Sequence, residues 1–236
     1  MLPKLADWQK KHKYPYNFFT EASMDLAIPS NQDIRKGMID AGFDSVFVGV
    51  ESDDPDVLKG MKKGQNLGAT TPAEKIKILQ GSGFEVTGGF IIGSDKEKPE
   101  VFDRLFNFIQ ESGIIIPMVG ILTALRGTDL YKRLEVENRL VGDTTGSNTH
   151  NLGFNFKTKL DEQFLISGYL GLLNNLFNPK NYYERCRTLE SRRGKYHLPS
   201  RVDENGMHAF MTLIYENMIK HPDVEFIKYI FISFVN

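Results

Sequence analysis

The chain has 236 residues, 41% hydrophobic and 25% charged, which are ordinary globular proportions and enough for one good core, or one core with a small appendage. A net charge of -1 gives no footing for nucleic acid or an anionic membrane as a general partner. One cysteine, Cys186, excludes an intramolecular disulfide, so nothing favours an oxidising compartment and a soluble, cytoplasmic chain is expected.

The opening residues, MLPKLADWQKKHK, place Leu2, Leu5 and Trp8 at helical spacing and lack the continuous apolar core of a signal peptide. From Lys13 to about Val141, short apolar runs alternate with amphipathic stretches, the pattern of βα units and a parallel sheet. The strand-like runs are Tyr16 to Ala27, Ser45 to Ser52, Glu85 to Gly93 and Ile116 to Thr128. They are mostly continuous rather than alternating, as expected where both faces are covered.

Helices are expected between these runs. Ile34, Met38 and Ile39 share one face before Gly42; Asp54-Pro55 and Thr71-Pro72 each set a cap before a first helical proline. Val101, Leu105, Phe108 and Ile109 form a face that closes at Gly113, and a further helix runs through Leu130 and Leu134. Four such units are too few to close a barrel of the usual eight. The expected fold is therefore α/β: a partial, open TIM-like (β/α) barrel over residues 1–141, with an α-helical C-terminal region over 142–236.

Beyond Val141, GDTTGSNTHNLGFNF suits a long excursion. A helical stripe follows from Phe164 through Tyr169, Leu173 and Phe177. Between Lys180 and Arg201 there are seven Lys or Arg residues against Glu184 and Glu190, which reads as a solvated helix face. The stretch from about Met207 is helical again. The apolar FIKYIFISFV near the C-terminus is about half of what spans a bilayer as a helix.

In parallel α/β structures ligands gather at the C-terminal ends of the strands. Those ends carry Glu21 and Ser23, Glu51 and Ser52, Gly93 to Asp95, and Thr123 to Gly127. Two carboxylates and two serines there suit hydrogen bonds to a ribose or an amino group, and the glutamates equally suit water-exposed rim positions. The Gly88-Gly89 pair followed by Gly93 fits a flat base lying on the strand, or else close packing or a bulge. An acid/base pair of Glu21 and Glu51 in a small α/β enzyme has no nucleophile or metal motif beside it. His12, His150, His197, His208 and His221 show no metal-ligand spacing.

In order and spacing, TEASMDLA, AGFDSVFVGVES, GFEVTGGFIIGSD, FIQESGI and GILTALRGTDLY resemble the second half of a radical S-adenosylmethionine enzyme of the cobalamin-binding, hopanoid-methylase-like group. GDTTGSNTHNLGFNF and NPKNYYERCRTL resemble the helical domain that follows the barrel in that group. The resemblance implies that Glu51 and Ser52 contact the ribose of S-adenosylmethionine and that Gly89, Ile91 and Gly93 form the GxIxG strand cradling the adenine. Thr123 and Ala124 would lie beside that base, and Glu21 would make a polar contact to cofactor or substrate. A complete relative would use S-adenosylmethionine, a 4Fe-4S cluster and cobalamin to methylate a small-molecule or lipid substrate.

This chain carries no CxxxCxxC for the cluster, whose iron needs thiolates, and Arg126 stands where the group usually has proline, which would loosen that loop. The resemblance places the start of the chain at the helix before the third barrel strand, without the cluster strand or a cobalamin domain. The chain alone is therefore expected to be inactive and to bind none of these cofactors firmly. The alternative expectation is a non-catalytic assembly module, completed by a partner polypeptide that supplies the missing strands.

Overall fold

The computed structural model describes residues 1–144, 152–194 and 204–235. Its strands, β1 (Phe18–Ala22), β2 (Phe43–Glu51), β3 (Glu85–Ile92) and β4 (Pro117–Ile121), form one sheet in the order β1-β2-β3-β4. All three pairings are parallel, and the sheet does not close. Helices separate the strands: α1 (Leu2–Lys11) before β1, α2 (Gln32–Asp40) after it, α3 (Pro55–Gly60) and α4 (Pro72–Gly81) after β2, and α5 (Val101–Ser112) after β3. The architecture is the expected partial open barrel with helices.

Register decides which face each strand residue takes, because paired residues of a parallel sheet point the same way and successive residues alternate. Val46, Val48, Val50, Val86, Phe90, Ile92 and Val119 share the convex face and are buried beneath the helices with Ile76, Leu79, Leu105 and Ile109. Phe47, Gly49, Gly89, Ile91, Met118 and Gly120 share the concave face, where Met118 stays 58% exposed. Phe19, on β1, faces the same side and is 59% exposed. Leu152, Phe154, Tyr169 and Leu173 approach this face near β4.

The helix signals act as the sequence implies. The Asp54 side chain accepts the Asp56 N–H at 2.8 Å ahead of Pro55. Thr71 and Glu74 form a full capping box on α4, and Gly113 ends α5 at φ +69°. A Cβ at Gly113 would come within 3.0 Å of Thr188, so glycine is required there for packing as well as for the turn.

Two strands are shorter than expected. The first ends at Ala22 because the Ser23 side chain accepts the Asp25 N–H and starts a 3-10 turn, Met24–Ala27, that buries Met24, Leu26 and Ala27. The fourth ends at Ile121, since the backbone of Ala124 pairs with a side chain rather than a strand. On α2, Met38 is buried but Ile34 is 46% exposed, so the apolar face is narrower than its spacing implies.

Helix α6 (Asp129–Val136) leads into an antiparallel bridge, Leu140 to Phe156, which closes the base of the expected excursion; residues 145–151 of it lie outside the described residues. Helix α7 (Glu162–Leu176) buries Leu165, Leu172 and Leu176 in the same core cluster as the sheet. Helix α8 (Pro179–Arg192) packs on α4 and α5, and α10 (Val224–Val235) packs on α8, with Phe226 buried and the Tyr183 and Tyr229 rings stacked 5.0 Å apart. Between them run α9 (Glu204–Ile214) and a π-helical segment, Tyr215–Lys220. Among the described residues no helix is long and apolar enough to cross a membrane.

The basic segment is the expected solvated face only in part: Lys180, Arg187 and Arg193 are exposed, but other arginines turn inward. Arg185 is fully buried, Arg192 donates to the Ser112 carbonyl at the end of α5 (2.9 Å), and Arg193 donates to the Gly83 carbonyl just beyond α4 (3.1 Å). These arginines sit at helix C-termini, where unpaired carbonyls and the helix dipole favour a cation. The remainder of the run, from Lys195, lies outside the described residues, as do His150 and His197.

Candidate functional site

A cavity of about 960 Å³ lies over the C-terminal ends of β2, β3 and β4 and along the outer edge of β4. The sheet contributes Phe47, Gly49, Glu51, Gly89, Ile91, Met118, Gly120 and Thr123, the excursion contributes Asp143, Leu152, Phe154 and Asn155, and α7 contributes Tyr169 and Leu173. Of the expected site residues, Glu51, Gly89, Ile91 and Thr123 come together here. Ser52, Gly93 and Ala124 stand behind the wall, and Glu21 lies apart at exposed β1, beside a shallower hollow of about 420 Å³. The structure therefore does not bring Glu21 and Glu51 into one cavity.

Glu51 is held in an unusual way. Its φ is +66°, a left-handed conformation that costs a non-glycine residue of order 1 kcal/mol or more, and such strain clusters at functional sites. The β2–β3 register slips between Gly49 and Glu51, and the Asn66 side chain stitches the irregularity by donating to the Gly49 and Val50 carbonyls at 2.9 and 3.0 Å. The carboxylate curls back so that a Cβ on Gly49 would meet Oε1 at 2.7 Å, and it pairs with Lys63 Nζ at 2.9 Å. Glycine at 49 makes that return possible.

The glycine pair on β3 has two separate causes. A Cβ on Gly88 would strike Ile114 at 2.7 Å on the convex face, which is close packing. A Cβ on Gly89 would strike the Phe47 ring at 2.8 Å on the concave face, so an aromatic ring of the chain itself lies on that ledge. Gly93 turns at φ +107° with the Phe154 ring against it, and its N–H donates to Glu97 Oε2 at 2.8 Å.

Glu97 is 8% exposed, and its Oε1 has no hydrogen-bond partner among the described residues. Burial pushes its carboxyl up to about 7, against the opposing pull of the Gly93 and Ser94 N–H groups. Ser52 Oγ accepts the Asp54 N–H at 3.1 Å, so this hydroxyl supports the start of α3 rather than facing the cavity.

Asn155 holds the excursion to the end of β4: its Oδ1 accepts the Ala124 N–H at 2.9 Å and its Nδ2 donates to the Ala124 carbonyl at 2.8 Å. Arg126 adds a second tie by donating to Asp143, which also accepts from the Tyr131 hydroxyl at 3.1 Å, so the loop expected to be loosened by this arginine is fastened instead. The Arg126 hydrogen bonds hold the Asp143 carboxyl below the usual carboxylate range.

A third tie is nearly buried: Asp95 takes two hydrogen bonds from Arg139 at 2.6 and 2.8 Å and pairs with Arg133 at 2.9 Å. Arg139 also donates to the Lys157 carbonyl at 2.8 Å. Asp95→Asn is therefore expected to lower stability by about 2 kcal/mol and to speed proteolysis between residues 141 and 157. Urea denaturation and a timed chymotrypsin digest, mapped at Leu152, Phe154 and Phe156, check both effects; unchanged cleavage there would mean that the clamp does not hold the wall.

Cys186 is a buried free thiol, pushed up to about 11 by that burial, and among the described residues no group of three His, Cys, Asp or Glu side chains is placed to hold a metal ion. The donor set therefore does not fit an iron-sulfur cluster.

A family model described as a domain of unknown function, DUF4070, matches residues 128–236, the part that contributes α6, the excursion and α7. The chain is 34% identical over 185 residues to an uncharacterized methyltransferase of Synechocystis sp., covering 78% of this chain and 34% of that protein. It is 36% identical over 143 residues to the hopanoid C-2 methylase of Rhodopseudomonas palustris, covering 61% of this chain and 27% of that one. Among solved structures, the radical S-adenosylmethionine methyltransferase TsrM from Kitasatospora setae, with cobalamin and a 4Fe-4S cluster bound, superposes with a TM-score of 0.49 at 14% identity, over 61% of this chain and 28% of that one. The chain spans about a third of the length of the curated relatives it matches, and over that span its sequence is similar to methyltransferases.

Proposed function

We propose that this chain is the C-terminal part of a cobalamin-dependent radical S-adenosylmethionine methyltransferase and supplies one side of the adenosine site, without activity of its own. The observation that carries the reading is the convergence of Glu51, Gly89, Ile91 and Thr123 on one cavity, with Glu51 strained at its mouth. The fit to an adenosyl group is good in kind. Glu51 would accept from ribose hydroxyls, since an ionised carboxylate has room for donors beyond Lys63. Ile91 and the exposed side of the Phe47 ring offer apolar surface to a base. When bound, S-adenosylmethionine would supply the methyl group or the radical that starts the chemistry. One cysteine cannot supply a cluster's thiolates, so the cluster and cobalamin would be held by polypeptide other than these 236 residues, and no step is derived through them.

The test is calorimetric titration of this chain with S-adenosylmethionine. Glu51→Gln is expected to weaken binding about tenfold, which is the loss of one charge-assisted hydrogen bond, whereas Asp53→Asn, at the Arg104 ion pair, changes it less. Equal affinities for the two variants would sink the ribose assignment.

A second reading has its own observation. Phe19 and Met118 are each more than half exposed on the concave face, and β1 is an open edge, so the sheet suits a polypeptide that adds strands to it. Co-purification with a cysteine-containing chain that covers Phe19 would favour an assembly module over an intact single-chain enzyme.

A further inference from the structure

The strained backbone at Glu51 is closed by a hydrogen bond of its own. The Ser52 N–H donates to the Val50 carbonyl at 2.9 Å, two residues back, so Val50, Glu51 and Ser52 form a γ-turn with Glu51 at its centre. With φ at +66° it is the positive-φ form of that turn, which is rare and strained. Such a conformation persists only where its surroundings over-determine it. Two side chains reach the turn. Lys63 pairs with the Glu51 carboxylate, but its side chain is 40% exposed, and an ion pair so open to water contributes little. Asn66 is 3% exposed and grips the backbone itself, its Nδ2 donating to the Gly49 and Val50 carbonyls where the register slips. The Val50 carbonyl already accepts from Ser52, so the second bond serves geometry rather than the pairing of an orphaned acceptor. Asn66 also stands on a firm base. It ends a 3-10 turn, Gly64–Asn66, its own N–H donates to the Lys63 carbonyl at 2.9 Å, and the Lys63 N–H donates to the Leu58 carbonyl at 2.9 Å, on α3, where Val57 and Leu58 are buried.

We propose that Asn66 is a positioning residue: by gripping the Gly49 and Val50 carbonyls it holds the turn at Glu51 in its left-handed form, and so keeps the Glu51 carboxylate curled over Gly49 at the mouth of the cavity. This deepens the adenosine reading and rests on it for the ligand, but not for the turn. Released from Asn66, Glu51 relaxes to an ordinary extended strand end, and its side chain follows the alternation of the strand instead of returning over Gly49. Glycine at 49 and the amide at 66 are then two parts of one device, the first leaving room for the carboxylate and the second fixing the backbone that carries it.

The experiment reads the turn and the ligand separately. At the φ of Glu51 the amide hydrogen and Hα are eclipsed, so NMR of the full chain is expected to show a strong intraresidue amide–Hα contact at this residue. Asn66→Ala, and Asn66→Asp, which keeps the shape but exchanges the donors for acceptors, should each lose it, while Lys63→Ala keeps it. Core methyls of Leu79 and Ile109 report whether the fold is intact. In calorimetry, Asn66→Ala should weaken S-adenosylmethionine about tenfold, and the double variant with Glu51→Gln should be within about twofold of Glu51→Gln alone, whereas independent effects would multiply to about a hundredfold. Four outcomes would each overturn the proposal: no strong contact at Glu51 in the parent, a contact retained in both Asn66 variants, multiplying losses of affinity, or unfolding of both variants, which would assign Asn66 to the fold as a whole. If the parent binds no S-adenosylmethionine, the adenosine reading fails and the amide–Hα contact alone decides the role of Asn66. If Glu51→Gln weakens binding and Asn66→Ala does not, the adenosine reading stands and this one falls.

Discussion

Replacing Arg185 with alanine is expected to remove about 3 kcal/mol of stability, a large share of what a domain of this size holds. Arg185 is fully buried on α8, yet among the described residues no carboxylate pairs with it. Its guanidinium instead donates to Gln110 Oε1 at 2.6 Å and to the Ile115 carbonyl at 3.3 Å, and it sits over the Tyr182 ring. Truncation would orphan the Gln110 and Ile115 acceptors and leave a void where α8, α5 and the turn into β4 meet. Desolvation already holds the guanidinium below its ordinary pKa, and Nε has no partner among the described residues, so the charge itself contributes little. Arg185→Met, which keeps the stem and drops the charge, should therefore recover at least half of the loss. Urea midpoints of the three proteins decide the matter. A loss below about 1 kcal/mol in Arg185→Ala would mean that α8 is held by Leu189 and Cys186 alone.

The arginines of α8 also mark where sequence reasoning stopped. A run of positive charge with few acids looks like a wetted surface throughout, as it is at Lys180 and Arg187, because the partners that draw Arg185 and Arg192 inward are backbone carbonyls, and every sequence has those. The carbonyls at Gly83, Ser112 and Ile115 become partners only once α4 and α5 end at one level beside α8. By contrast, the βα alternation, the caps at Asp54 and Thr71 and the stop at Gly113 were legible because each is a local device, complete within four residues. The strand ends at Ala22 and Ile121 were missed for the opposite reason: a side chain, Ser23 in one case and distant Asn155 in the other, captures backbone that would otherwise extend the strand.

At the site, Glu51, Gly89, Ile91 and Thr123 were readable because strand ends in a parallel sheet face a common mouth. Phe47 could have been read as well, since it lies two residues before Gly49 on the same face as the glycine ledge it covers. Tyr169 and Asn155 could not, because their roles depend on α7 and the excursion folding back over β4. Glu97 carries a weak signal, an acid four residues beyond Gly93, that means little until its burial is known.

That burial makes the chain's stability depend on pH near neutrality, in a direction opposite to that of an ordinary salt-bridged acid. The folded-state pKa of Glu97 is raised from 4.5 to about 7, so between these values the folded chain binds a proton that the unfolded chain releases. The contribution is full below about pH 4.5, falls as pH rises through the window and is gone above about 7, for a total of about 3 kcal/mol. The charged groups facing it are Arg104 on α5, which favours ionisation, and Asp54 at the start of α3, which opposes it; Asp53 is engaged with Arg104 at 2.8 Å. Asp95 titrates below the ordinary Asp value of 3.8 because Arg139 hydrogen-bonds it, so it does not blur the window. Urea denaturation is expected to give a higher midpoint near pH 5 than near pH 8, and Glu97→Gln, which keeps an acceptor for the Gly93 N–H, should flatten the difference. A slope that survives Glu97→Gln would assign the titration to another group. Loss of the slope together with a shift of the Gly93 amide resonance would tie the proton at Glu97 to the turn that ends β3 beside the cavity.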